Sequence, residues 1–448
     1  MLSPEEALAR CAALVERARG AGADAADAIY SADASHGVQV RLGALEGVER
    51  SESEHASLRV FVGRGTATIG STELSDAALD ELAHRAVAMA RAAPEDKFAG
   101  LAPRELLLRA PPPKLDLADP TERSPAELRA IAEQAEYAAR AVSGVTNSEG
   151  AGASQGASVV ALVTSDGFAG AYATTSHSIS ASVIAGEGAG MQRDYAFRAT
   201  RHAADLLPPD EIGRLAGTRA AARLDPASLT SGPRAVVFDP RVGGSLVGHL
   251  LGAINGTAIA RGTSFLLGRE GEQVFAPGIT IMDDPHRARG LRSRPFDGEG
   301  LPTAPRALVE AGRLTGWLMD AAAARQLGRQ PTGHAARGSG GPPGVSASNV
   351  TLLAGTVSRA ELIADIADGV LVTELIGQGV NPVTGDYSRG ASGFRIVGGE
   401  IAGPVAGITI AGNLREMFAA MTAADDLEVY RGVDVPTLRI DGMTVAGE

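Results

Sequence analysis

The chain has 448 residues, enough for two or three domains with separate cores. Hydrophobic residues make up 44% and charged residues 21%, a globular rather than disordered composition, and 4% aromatics with 56 glycines predict cores of small aliphatic side chains. A formal charge of −12, without a dense basic run, argues against direct binding to nucleic acid.

Lys97 and Lys114 are the only lysines, which disfavours Schiff-base and lysine general-base chemistry. Cys11 is the only cysteine, so an internal disulfide and a cysteine-rich zinc site are excluded. The start, MLSPEEALAR, has no basic region followed by an apolar one, and no stretch reaches the roughly 18 apolar residues of a membrane span. Cytoplasmic residence without membrane contact is the expectation.

In chain order, Ser3-Pro4-Glu5-Glu6 predicts a capped helix running to about Gly20. Strand-like alternation follows at 26–31, 37–42 and 57–62, and 75–91 carries Leu79, Leu82, Ala83, Ala86 and Val87 on one helical stripe. These elements define a helix–sheet layer domain over 1–93. Closely spaced prolines make 94–124 an extended connector. A second Ser-Pro-x-Glu box at 124–127 opens a helix, and long strands at 158–164 and 168–184 form a meander, so 125–230 continues the N-terminal half. Over 231–448 short strands dominate, at 279–282, 307–309, 314–319, 350–353, 369–375, 394–397 and 405–410, with short helices at 320–327, 358–368 and 413–421. The predicted class is α+β, an N-terminal helix–sheet layer domain followed by a mainly β C-terminal domain with a few helices.

The stretch 236–265, VVFDPRVGGSLVGHLLGAINGTAIARGTSF, reads as a buried strand, a turn and a helix that carries His249 among Leu246, Val247, Leu250, Leu251 and Ile254. A zinc-peptidase helix needs two histidines four apart with a glutamate beside the first, so that the ligands share a face and the carboxylate reaches metal-bound water. Four residues before His249 stands Ser245, followed by Leu246, and the pair is missing. A site assembled from distant segments, such as His249 with His334 and Asp386, stays open as a second reading. Gly152-Ala153-Ser154-Gln155-Gly156 matches G-x-S-x-G, but a nucleophile elbow needs a strand before the serine and a helix after it. Polar residues before it and a strand after it predict a flexible Gly/Ser loop instead. Pro342 and Pro343 remove amide donors from the glycine-rich 338–344, which reads as a rigid irregular loop. The polar 377–390 reads as a long hairpin loop or a loop lining a cleft or subunit contact.

The segments GHLLGAI (248–254), RGTSFLL (261–267), PTGHAARGS (331–339), GVNPVTGDYSRGASGF (379–394) and GNLREMF (412–418), with STELS at 71–75 and TNSEG at 146–150, together resemble the TldD/PmbA family. They are most similar to its PmbA branch, also called TldE; the family carries the label modulator of DNA gyrase. The resemblance implies a two-component cytoplasmic peptidase. Its TldD subunit holds zinc on a His-Glu-x-x-x-His helix with a late cysteine ligand, and its PmbA/TldE subunit lacks those ligands. Unfolded or small peptides, microcin precursors and antitoxins among them, are the implied substrates. In the six positions 244–249 only His249 is of a ligand type, and Cys11 lies at the wrong end to supply the late thiolate. The implied chain therefore binds no cofactor and holds no catalytic residue, with zinc on the partner. Polar residues within or beside these motifs, His249, Arg261, His334, Asn349, Asp386, Arg389 and Asn413, are the candidates for a peptide- or partner-binding surface. A TldD-like subunit in a heterodimer is the expected partner. The alternatives are a homodimeric peptide-binding protein and an autonomous hydrolase around His249, His334 and Asp386.

Overall fold

In the computed structural model, which describes residues 1–338 and 340–447, one antiparallel sheet takes strands from both sides of the connector. Ser339, inside the glycine- and proline-rich segment, lies outside the described residues. Helix α1 (Pro4–Gly20) leads into β1 (Ala25–Arg41), β2 (Ala44–Val62), β3 (Gly65–Ser71) and α2 (Asp76–Ala92). Beyond the connector come α3 (Pro125–Arg140), β4 (Val145–Thr164), β5 (Ala169–Ala185), β6 (Gln192–Thr200) and α4 (Pro209–Ala221). The order β3-β2-β1-β4-β5-β6 leaves β6 at an edge. Helices α1 and α2 bury their apolar stripes on one stretch of this sheet, and α3 and α4 on another. Both predicted capping boxes form, with the hydroxyls of Ser3 and Ser124 accepting from the amides of Glu6 and Glu127.

The strands are longer than their alternation suggests. One uninterrupted β1 replaces the two strands expected at 26–31 and 37–42, and β2 and β4 begin well before residues 57 and 158. The G-x-S-x-G segment consequently lies inside β4 rather than in a flexible loop, with the Ser154 and Ser178 hydroxyls 2.8 Å apart. Glycine and serine are weak strand formers, but β1 and β5 flank β4 and satisfy its backbone groups on both sides. At the β1–β2 turn Leu42 is left-handed with φ 52, a conformation costing about 1–2 kcal/mol, and Gly43 follows with φ 77. The buried Glu136 carboxylate of α3 accepts from both amides, at 2.7 and 2.8 Å, and holds the turn.

The C-terminal half opens with β7 (Gly232–Phe238), α5 (Pro240–Ala253) and α6 (Gly256–Ala260). Next are β8 (Ile281–Asp284), β9 (Arg306–Glu310), β10 (Arg313–Leu314), α7 (Ala321–Leu327), β11 (Ala335–Ala336), β12 (Gly344–Val345), β13 (Asn349–Leu352) and α8 (Arg359–Ile363). It ends with β14 (Asp368–Ile376), β15 (Asp386–Val397), β16 (Glu400–Asn413), α9 (Leu414–Ala419), β17 (Met421–Ala423), β18 (Val433–Asp434) and β19 (Leu438–Ala446). Strands β16-β15-β14-β7-β19 close into a barrel, because β16 also pairs with β19, and β17 adds to β19. A second sheet, β10-β9-β8-β13-β18, stands beside the barrel on a shared core.

The closing strand β19 is absent from the sequence reading. Its Asp441-Gly442 pair, with Gly442 at φ 78, has turn chemistry, yet here it forms a bulge within the ladder. The strand expected at 314–319 shrinks to the two residues of β10, and the helix expected at 358–368 to α8. Val236, Val237 and Phe238 are an unbroken apolar run because both faces of β7 are covered. Val236 and Phe238 face the main core, and Val237 packs with Ile363, Ile366, Leu371 and Ile396. Buried charge ties the halves together: Arg59 Nε donates to Asp27 at 2.8 Å and its guanidinium faces Glu299 at 3.4 Å, while Arg337 also meets Asp27. Among the described residues no helix is long and apolar enough to cross a membrane.

Candidate functional site

Helix α5 starts where Asp239 ends β7 and accepts from the Arg241 amide at 3.1 Å, with Pro240 in the first turn, where a missing N–H costs nothing. Leu246, Val247, Leu250 and Ala253 bury one face in the barrel core. The other face is nearly bare of side chains. Gly244, Gly248 and Gly252 recur every fourth position beside Ser245, whose hydroxyl donates back to the Val242 carbonyl at 2.7 Å. Gly248 and Gly252 are exposed.

His249 sits between the two faces. Its ring meets that of Tyr387 on β15 at 78° with centroids 5.9 Å apart, and its Nε2 is buried without a hydrogen-bond partner. Burial, followed by the nearby Arg389 guanidinium, pushes the imidazole below its ordinary range and favours the neutral ring. Burial also lifts the Tyr387 phenol to about 12, against the pull of Arg389. Tyr387 and Arg389 alternate on the same face of β15.

Arg389 contributes to the wall of a cleft of ≈ 750 Å³ between β6 on one side and α5, β14 and the 430–433 segment on the other. Asp194 of β6 crosses this cleft by accepting from Arg241 of α5 at 2.7 and 3.0 Å, and from Arg223 at 3.4 Å. Arg223 also pairs with Glu374 of β14. Burial pushes the Asp194 carboxyl up, but the Arg241 hydrogen bonds outweigh it and hold the group below the usual carboxylate range. Next to Asp194 on the edge strand β6, Tyr195 and Phe197, both exposed, stack at 6.3 Å.

The seven candidate residues fall into three pairs and one residue apart. His249 lies near Arg389, and of the two only Arg389 lines the cleft. Asp386 and Asn413 pair with each other at 3.1 Å, where the loop between β14 and β15 closes against α9. Asn381 and Thr384 brace that loop from within. His334 and Asn349 are buried and fully engaged: His334 lies 3.0 Å from Asp283 and 2.8 Å from Thr332, while Asn349 serves the Arg292 amide, the Asp284 carbonyl and Ser293. Arg261 ends α6 at the surface. His249, His334 and Asp386 thus have separate partners and form no triad. Tyr387, Thr373, Asp194 and Arg241 were not among the candidate residues. Tyr387 stands two residues before Arg389 in the quoted motif, and strand alternation alone would have placed it on that face.

The donor set at α5 does not fit a catalytic zinc. Counted as His-Glu-x-x-x-His ending on His249, the first two positions are Gly244 and Ser245, not Ser245 and Leu246, and neither carries a ligand. The charge that acts on His249 is the Arg389 cation, not a carboxylate. Cys11 is on the buried face of α1 in the other half, and among the described residues no group of three His, Cys, Asp or Glu side chains could hold a metal.

This architecture recurs in solved structures. A proposed modulator of DNA gyrase from Bacteroides thetaiotaomicron superposes with a TM-score of 0.91 over 100% of both chains at 24% identity. TldE from Thermococcus kodakarensis gives 0.86 over 97% of this chain and 99% of that one at 21% identity. Those likenesses define the fold, and sequence comparison defines the family. Family models of the PmbA/TldA metallopeptidase match as domain 1 over 26–90, the central domain over 118–224 and the C-terminal domain over 231–447. The metalloprotease PmbA of Escherichia coli O157:H7 is 37% identical over 427 residues, spanning 95% of this chain and 93% of that protein. The chain belongs to the PmbA/TldD metallopeptidase family.

Proposed function

We propose that this chain is the non-metal subunit of a two-component zinc peptidase. It pairs with a TldD-like subunit that carries the His-Glu-x-x-x-His helix, and it supplies walls that receive unfolded or small peptides in the cytoplasm. The observation that carries this reading is α5. The helix stands in the family's active position, but Gly244 and Ser245 replace a ligand and the general base, and His249 is packed against Tyr387. Family membership over nearly the whole chain supports the pairing. The open edge of β6, beside the Tyr195–Phe197 pair, suits an extended peptide, since strand addition draws on main-chain hydrogen bonds and tolerates varied side chains.

The test is metal analysis and peptide cleavage on the purified chain, alone and with a His-Glu-x-x-x-His partner. The expected result is no stoichiometric zinc and no cleavage alone, with activity on mixing and a heterodimer by size. Zinc near one per chain with chelator-sensitive cleavage in isolation overturns the reading, as does a stable homodimer that ignores the partner.

A further inference from the structure

We propose that the cleft between β6 and α5 is a carboxylate-binding site, with the Arg389 guanidinium as receptor and the Thr373 hydroxyl as a neutral donor. Its ligand is the carboxylate of an extended peptide. Arg389 is only 9% exposed, forms no ion pair among the described residues and has a buried Nε without a partner. A guanidinium taken out of water without a counterion is costly, and buried polar groups are nearly always hydrogen-bonded. Here the orphans cluster. Thr373 Oγ1, Tyr387 Oη and His249 Nε2 are also buried without partners, and Thr373 lines the same cleft where a bulge between Val372 and Glu374 interrupts the β14–β15 register.

Charge selects the ligand. Six arginines line the cleft, Arg193, Arg223, Arg241, Arg292, Arg389 and Arg431, against Asp194 and Glu374, in a chain whose net charge is −12. Both acids are already engaged by Arg223 and Arg241. The remaining positive field focuses on an anion, and the fork at Arg389, buried and without an ion pair among the described residues, matches a planar carboxylate. A volume of ≈ 750 Å³ has room for a short peptide, and the edge of β6 leads into it. The peptide nature of the ligand rests on the proposed function; the anion receptor does not.

The experiment is calorimetric titration of the isolated full chain with four probes. These are a short unfolded peptide with neutral side chains and a free C-terminus, its C-terminal amide, the same amide carrying one glutamate, and inorganic phosphate. The free acid is expected to bind at least about tenfold more tightly than the plain amide, the scale of one charged hydrogen bond. A glutamate-bearing amide that binds like the plain amide identifies the C-terminus as the source; one that binds like the free acid shows that a side-chain carboxylate also serves. Arg389→Gln should lose the same factor while melting no lower than the native chain, because it removes an unpaired buried charge. Thr373→Val should lose less. Equal binding of free acid and both amides, no saturable peptide binding at millimolar concentration, preference for phosphate over every peptide, or unchanged affinity in a folded Arg389→Gln chain overturns the site. Partner-dependent cleavage is scored separately, so a chain that binds carboxylate but activates nothing removes the proposed function and leaves the site standing.

Discussion

The rings of His249 and Tyr387 meet at 78° with centroids 5.9 Å apart, which makes the one histidine of α5 a packing contact between the helix and the barrel. A packing role separates two substitutions. His249→Phe should hold stability near that of the native chain, whereas His249→Ala should cost about 1–2 kcal/mol by denaturant titration. Neither should alter the metal content measured by atomic absorption. A drop from one zinc to none in either variant contradicts this reading of the helix.

The bare face of α5 is a stability cost carried by the native chain. A methyl group at Gly248 or Gly252 would meet nothing within 4 Å, and glycine inside a helix is about 0.5–1 kcal/mol worse than alanine. Gly248→Ala and Gly252→Ala should each stabilise the isolated chain by that amount in urea unfolding. If the face receives a peptide or partner backbone at close range, the same variants should lower activity in the complex.

Asp27 holds two arginines from different halves of the chain. It is fully buried, accepts from Arg59 and meets Arg337. Asp27→Ala leaves Arg337 without its acid and Arg59 with only the longer contact to Glu299, and should destabilise the protein by about 3–5 kcal/mol. Guanidinium unfolding monitored by the single tryptophan, Trp317, reads the loss. A change below about 1 kcal/mol, the scale of a surface ion pair, would remove the lock.

Acid sensitivity follows from histidines kept neutral by burial. His55, His177 and His249 are all pushed below the ordinary value, chiefly by desolvation, although Asp119 pulls His177 upward. The unfolded chain therefore takes up these protons first. Their contribution to stability is present above about pH 6.5 and is lost as pH falls through the lower folded values. Burial alone would raise Asp119, but the Ala203 and Thr121 amides hold it at about 2, so its contribution survives until much stronger acid. Asp297 and Glu299 are raised by burial and oppose the histidines on the acid side. Because of that opposition, the difference between native and His177→Gln is the readout. Melting temperatures from pH 7.5 down to 5 should fall more steeply for the native chain, and parallel curves contradict the assignment.

Local rules were legible in the sequence. Ser3 and Ser124 each announce a helix by a capping box and both boxes form, with a third at Ser358, because a cap depends on four consecutive residues. Strand extent was less legible. The Gly/Ser run of β4 pairs because β1 and β5 lie on either side, and β19 spans a turn-like Asp441-Gly442 because the barrel needs its fifth strand. The same distinction applies at the cleft. His249 and Arg389 stand out in polar motifs, but Thr373 enters through a bulge and Asp194 arrives from the other half of the chain. Tertiary pairing decides both.

The most direct measurement is a three-way comparison of peptide hydrolysis and bound zinc for this chain, for a His-Glu-x-x-x-His partner, and for their equimolar mixture. The account predicts less than a tenth of a zinc per chain here, on the order of the background for a site without ligands, and cleavage that this chain alone lacks and the mixture gains. Stoichiometric zinc on this chain, with cleavage that a chelator abolishes and the partner does not change, would contradict it.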